Sequence, residues 1–178
     1  MGYVAFTTTQ LNYLARQDEM LAPIFVGVFA ADELPSNPKK RLPQAYIVNT
    51  DPRTKPGTHW IAIYTERGQC ELMDSYGIPY HWYQSPFQHW IDTHWEKVRS
   101  NAMKLQTIQS NSCGQSALMY LKYKARGKSM EDFQNQFQAY DYVYNDHKIE
   151  QIIKRVIVNE LFYPSHRLDK DQTNEHSL

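Results

Sequence analysis

The chain has 178 residues, with nineteen Lys and Arg against nineteen Asp and Glu, and a pI near 7.1. Zero net charge excludes a global field that would draw the protein to nucleic acid or anionic lipid, and leaves only local patches for such contacts. No apolar run approaches the roughly 20 residues that span a bilayer, and Met1-Gly2-Tyr3 carries no basic segment ahead of an apolar one, so the sequence predicts a soluble protein that is not secreted. Cys70 and Cys113, the two cysteines, then read as free thiols rather than a disulfide. The length suits one domain over residues 1–164, followed by a polar, aperiodic tail over 165–178 that is expected to be disordered.

Thr9, read as an N-cap, and the spacing of Leu11, Leu14 and Leu21 predict a first helix over about 9–21, ended by Pro23. The apolar run Ile24 to Phe29 predicts a strand, and 32–43 a polar loop. Three further strands follow, over Ala45 to Asn49, His59 to Thr65 and Gln69 to Ser75. The last two are joined closely enough for a hairpin, and the unbroken apolar run Trp60 to Tyr64 marks a strand covered on both faces. Ser85-Pro86, followed by Phe87, Trp90, Ile91, His94, Trp95 and Val98, predicts a helix over about 86–99. Another helix opens at Ser112 or Cys113 and is expected to run to Ala125, stopped by Gly127 as an αL cap. Ser129 to Asp132 has the pattern of a capping box. Ile149, Ile152, Ile153, Val156 and Leu161 form the apolar stripe of a last helix. The elements make an α+β protein.

Cys113 falls at a helix N-terminus, where unpaired N–H groups and the helix dipole favour negative charge and lower a thiol pKa. Gly114 beside it leaves room for a substrate carbonyl. His59 opens a central strand and Asp74 closes its neighbour, so a base and an orienting acid lie on one predicted hairpin. Taken singly, each has an ordinary structural reading: a buried thiol, a core histidine, a turn aspartate. Gln106 and Gln109 both precede Cys113 and both offer an amide donor for an oxyanion. Cys70 lies on the strand before Asp74 and reads as core packing. His81, His89, His94 and His147 lack any metal-ligand spacing, and the glycines form no phosphate loop.

Thr58-His59-Trp60, then Leu72 to Gly77, then Gln106-x6-Cys113-Gly114 resemble the adenovirus protease (adenain) family and its relatives in polintons and adintoviruses. That family is related to the ubiquitin-like-protein-specific cysteine proteases, which share the order His, acid, Gln, Cys. Pro23 to Phe29 and Ile47 to Thr50 extend the resemblance to roughly residues 9–126. It implies a central mixed sheet of about four or five strands packed between helices, with the nucleophile at the N-terminus of a buried helix. It implies His59 as base, Asp74 as the acid that fixes its tautomer, Cys113 as nucleophile and, by the seven-residue spacing, Gln106 as oxyanion donor. Adenain has Glu where this chain has Asp74.

The implied activity is a viral cysteine endopeptidase that cuts virion precursor polypeptides during maturation, acting as a monomer in the virion and in the host nucleus or cytoplasm. The alternatives are a deubiquitinase or modifier protease, which shares the order of residues, and an inactive binding module. No cofactor is required by the sequence. The resemblance brings DNA and an activating peptide as effectors, but the segment 92–106 has no cysteine for a covalent peptide. The basic residues open to DNA are Lys97, Arg99 and Lys104, and the cluster Lys122, Lys124, Arg126 and Lys128.

Overall fold

The computed structural model describes residues 5–162, with side chains described as far as 157. The expected tail, 165–178, and Leu161 of the apolar stripe lie outside those limits. The order is α1 (Thr8–Gln17), β1 (Phe25–Phe29), β2 (Gln44–Asn49), β3 (Trp60–Glu66), β4 (Gln69–Met73), a short 3-10 turn (Tyr80–Trp82), α2 (Pro86–His94), β5 (Lys97–Ser100), α3 (Cys113–Ala125), α4 (Met130–Gln134) and α5 (Tyr142–Phe162). The five strands form one mixed sheet in the order β1-β2-β3-β4-β5. The outer pairs are parallel and the inner pairs antiparallel.

Strand β3 is the centre of the molecule. Because side chains alternate along a strand, Ile61 and Ile63 enter a core with Tyr46, Val48, Cys70 and Leu72, closed by Phe87, Trp90 and Ile91 of α2. Ala62 and Tyr64 face the other way, into a core with Leu11 and Leu14 of α1, Ala117, Leu118 and Leu121 of α3, and Ile149 and Ile153 of α5. Both faces of the unbroken apolar run are thus covered. Cys70 is core, as the packing role expected of it requires.

Three local expectations are corrected. The first helix is capped by Thr7, not Thr9: Thr7 Oγ1 accepts from Gln10 N, and Gln10 Oε1 accepts from Thr7 N. It ends at Gln17, because Asp18 is extended and its Oδ1 accepts from Met20 N and Leu21 N in a side-chain-stabilised turn. The helix expected over 86–99 stops at His94 and the chain re-enters the sheet as β5, where Lys97 to Ser100 pair with Gln69 to Leu72. Ser85 stands at the N-cap of α2 without capping it, and its hydroxyl donates to Thr50 O across 2.7 Å. The capping box of α4 forms as expected, between Ser129 and Asp132. Gly127 adopts the left-handed conformation at φ 71°.

Candidate active site

The hairpin β3-β4 and the start of α3 meet at one end of the sheet. His59 immediately precedes β3, and its carbonyl accepts from Thr50 N, which fixes the backbone ahead of the strand. Asp74 immediately follows β4. Its main chain is held on both sides by Asn101, whose Oδ1 accepts from Asp74 N and whose Nδ2 donates to Asp74 O, each at 2.7 Å. At this end of the hairpin His59 Nε2 lies 2.7 Å from Asp74 Oδ1. Both are buried, at 5% and 2% exposure.

Both oxygens of the Asp74 carboxylate accept hydrogen bonds. Oδ1 also accepts from Tyr76 N at 2.8 Å, and Oδ2 accepts from the Tyr83 hydroxyl at 2.6 Å. Asp74 is therefore the turn aspartate of its loop and the partner of His59 at once; the two readings of the sequence coincide. The rings of Tyr76 and Tyr83 also flank the imidazole, with centroids 4.6 Å and 6.4 Å from it. This packing restricts the imidazole to the plane in which Asp74 receives its N–H.

With Nε2 committed to Asp74, Nδ1 is the ring nitrogen left for Cys113. It makes no hydrogen bond of good geometry, yet the thiol is within range to couple with the ring. Loose contacts of this kind in a resting site tighten when substrate arrives. Burial opposes charge on His59, but its bond to Asp74, the neighbouring Cys113 thiolate and the attraction of both negative groups outweigh burial and raise the imidazole from 6.5 to about 9. Burial likewise raises the Cys113 thiol, and it is outweighed by the neighbouring His59 ring and its imidazolium charge, and by the backbone N–H groups of Trp60 and Gly114, so the net shift is downward. The two shifts together favour a thiolate-imidazolium pair. Cys70 shows the opposite case: burial, then the charge of Glu71, pushes its thiol far above the ordinary value.

Gly114 does not leave its open side to a substrate. A Cβ there would meet Trp60 Cδ1 at 3.2 Å and the Leu11 methyl carbons at 3.4 Å. The glycine instead lets α3 pack closely on β3, which brings the Cys113 sulfur to the Trp60 N–H. Trp60 is half-buried against the core and lines a cavity of about 480 Å³ whose rim carries Glu33, Asp51, Arg53 and Lys55.

Gln106 is buried and Gln109 exposed. The Gln106 main chain is tied to the Asp74 loop through its N–H to Ser75 O at 3.2 Å. Its Nε2 donates to Ser110 O at 3.3 Å, and its amide is within hydrogen-bonding reach of the Tyr76 hydroxyl. The structure thus brings His59, Asp74 and Cys113 together and sets Gln106 in the buried loop leading to Cys113. Tyr76, Tyr83, Asn101 and Asp146, which support these groups, carried no signal in the sequence beyond residue types common in turns and cores. The basic residues open to DNA are largely engaged within the chain: Lys122 and Arg126 pair with Asp18, Lys124 with Glu71, and Arg99 with Glu131. Lys104 lies over the Tyr142 ring. Among the described residues no cluster of His, Cys, Asp or Glu is arranged to hold a metal ion, and no helix is long and apolar enough to cross a membrane.

No family profile and no curated protein matches the chain at the level of sequence. Solved structures do. Similarity to the ASFV pS273R protease covers 82% of this chain and 67% of that one, at 18% identity and a TM-score of 0.50. The chain shares that protease's fold. The selenomethionine form of the same protease matches at a TM-score of 0.45 and 18% identity, over 80% of this chain and 67% of that one. ChlaDub1 from Chlamydia trachomatis matches at 0.45 and 11% identity, over 89% and 80%. The likeness does not single out the adenovirus branch. What the first likeness shows is a shared α+β fold, here a mixed five-stranded sheet between helices; Cys113 begins the helix that packs on the central strand.

Proposed function

We propose that the protein is a cysteine endopeptidase and that its substrates are viral precursor polypeptides cleaved during virion maturation. The observation that carries the catalytic part is one buried imidazole between two partners: His59 bonds Asp74 through Nε2, and the ring lies near enough to the Cys113 thiol, at a helix N-terminus, to lower its pKa. A nucleophile, a base and an orienting acid in this relation form the arrangement that activates a thiol for acyl transfer.

In the proposed reaction the Cys113 thiolate attacks the scissile carbonyl. The Gln106 amide and the Cys113 backbone N–H donate to the oxyanion. Protonated His59 passes its proton to the leaving amine, and a water then attacks the thioester with His59 as base. Asp74 holds the imidazole throughout. The substrate class rests on the resemblance of the sequence motifs to the adenovirus protease family.

The test is incubation of the purified protein and of Cys113→Ala with candidate capsid precursors, followed by mapping of new N-termini. The proposal expects defined cuts with the native chain and none with the variant. Cleavage of ubiquitin-like-modifier conjugates with precursors left intact would replace the substrate assignment, and unchanged cutting by Cys113→Ala would end the nucleophile assignment.

A further inference from the structure

Asp146 projects from α5 into the loop that leads to Cys113 and is 1% exposed. Burying a carboxylate is costly unless its oxygens are satisfied, and here they are satisfied almost wholly by that loop. Oδ2 accepts from Thr107 N at 3.1 Å and from Thr107 Oγ1 at 2.9 Å. Oδ1 accepts from Ser112 Oγ at 2.7 Å. Thr107 directly follows Gln106, and Ser112 directly precedes Cys113. One side chain from a distant helix therefore pins both ends of the segment between the proposed oxyanion donor and the nucleophile.

The bond to Ser112 has a second effect. Ser112 holds the N-cap position of α3, where a serine hydroxyl ordinarily accepts from an N–H of the first turn, yet it caps nothing. Its proton is given to Asp146, and it receives the Ser110 hydroxyl at 2.8 Å. The amides at the mouth of α3 are left to the sulfur and to the developing oxyanion. Gln106 Nε2 donates to Ser110 O at 3.3 Å, so the amide, the loop and the N-cap form one hydrogen-bonded unit closed by Asp146.

The geometry points to Asp146 as a positioning residue for the oxyanion site: it acts through Thr107 and Ser112 to hold the Gln106 amide in register with the Cys113 backbone N–H. This rests on the reading of Cys113 and Gln106 proposed above. A displacement of about 1 Å in such a site costs up to about a hundredfold in rate.

The experiment compares two reactions of the same thiol. Peptide hydrolysis and reversible binding of a peptide aldehyde both place an oxyanion on the former carbonyl. Alkylation by iodoacetamide displaces iodide from carbon and forms none. With a fluorogenic peptide taken from a mapped cleavage site, Asp146→Ala is expected to lower kcat about tenfold or more and to weaken the matching aldehyde to a similar degree. KM and the alkylation rate are expected to stay within about threefold. Asp146→Asn restores most of kcat, because its carbonyl accepts from Thr107 and its amide donates to Ser112 Oγ. Ser112→Ala deletes one arm without touching α5; it is expected to show a smaller loss with the same split, and it keeps the test decisive should Asp146→Ala fail to fold.

Gln106→Ala is the reference, and Asp146→Ala added to it is expected to cost little more, since both act on one interaction. Hydrolysis and alkylation falling by the same factor in Asp146→Ala and Ser112→Ala, or additive losses in the double variant, would overturn the inference while leaving Cys113 as nucleophile. Hydrolysis that survives Cys113→Ala would instead remove the reading beneath it.

Discussion

Replacing Asp74 by Asn separates the two things that its carboxylate does, orienting His59 and charging it. The bonds around residue 74 dictate the outcome. Oδ1 faces two donors, His59 Nε2 and Tyr76 N, while Oδ2 faces only the Tyr83 hydroxyl, which accepts as readily as it donates. An Asn side chain therefore keeps its oxygen toward His59 and Tyr76 and gives its amide to Tyr83. The His59 tautomer survives, and the charge is lost.

The rise of His59 from 6.5 to about 9 corresponds to about 3 kcal/mol of preference for the imidazolium. Most of it disappears with the Asp74 anion, and burial then works unopposed against a charge on either partner. Cys113 returns toward its ordinary 9.0 or above, where about one thiol in a hundred is ionised at pH 7. Asp74→Asn is thus expected to reduce kcat/KM and the iodoacetamide rate by up to about a hundredfold each at pH 7. Asp74→Ala also frees the ring and is expected to cost a further factor of about ten to a hundred in hydrolysis.

The sign with pH follows from the raised imidazole. Stability that depends on its charge is fully present below 6.5 and is lost as pH rises through about 9; activity shares that alkaline limb and has an acid limb where the Cys113 thiolate regains its proton. In Asp74→Asn that alkaline limb moves to lower pH. The assay is alkylation and peptide hydrolysis between pH 5 and 10, with the range chosen to bracket both ordinary values. If Asp74→Asn alkylates with the native pH profile, the Asp74 charge does not sustain the ion pair and the reasoning is refuted.

Tyr83→Phe leaves one oxygen of a buried carboxylate without its donor and is expected to destabilise the protein by about 1.5 to 3 kcal/mol in urea denaturation, the value of a bond to a charged group. A loss below about 0.5 kcal/mol would mean that solvent replaces the hydroxyl. Cys113, at 9% exposure and with its pKa lowered, is expected to react with iodoacetamide at pH 7 well before Cys70, which is fully buried and raised. Equal labelling of the native protein in peptide mass analysis would contradict both placements. Gly114→Ala gains about 1 kcal/mol of helix propensity but forces Trp60 and Leu11 apart at contacts of 3.2 and 3.4 Å, and overpacking costs about 1 to 3 kcal/mol. The expected net result is a lower Tm and slower alkylation of Cys113, because the Trp60 N–H withdraws from the sulfur; a more stable variant with unchanged labelling would refute the close-packing account.

Local chemistry explains which parts of this architecture were legible in the sequence. Strand β3 announced itself because Trp60 to Tyr64 are apolar without interruption, and the box at Ser129 and Asp132 because its bonds span only three residues. Strand β5 did not, since Lys97, Val98, Arg99 and Ser100 are half exposed and owe their extended form to parallel pairing with β4, a partner 28 residues away in register. Val98 also continued the apolar spacing of α2, so helical periodicity ran past the true end at His94. At the site, His59, Asp74 and Cys113 stood out by residue type and by the elements they terminate. Asn101, Tyr83 and Asp146 reach the same place through bonds spanning 27, 9 and 34 residues. No local pattern encodes those.

The sheet itself explains why the chemistry gathers at one end. A hairpin brings the start of one strand and the end of the next to the same end of the sheet, so the residue before β3 and the residue after β4 both lie there. Here they are His59 and Asp74. Strand β5, parallel to β4, then delivers Asn101 and the loop behind it to that same end, where Leu105 N and Gln106 N both bond Ser75 O. The next element to start is α3, and its packing on β3 is set by Gly114 and Ala117 at the interface. Cys113 arrives first in that helix, facing His59. The order His, acid, Gln, Cys along the chain is thus the order in which this topology visits one end of its sheet, and the proposed division of labour follows from it: the strands hold the base and acid rigidly, while the loop that Asp146 pins carries the groups that meet the substrate carbonyl.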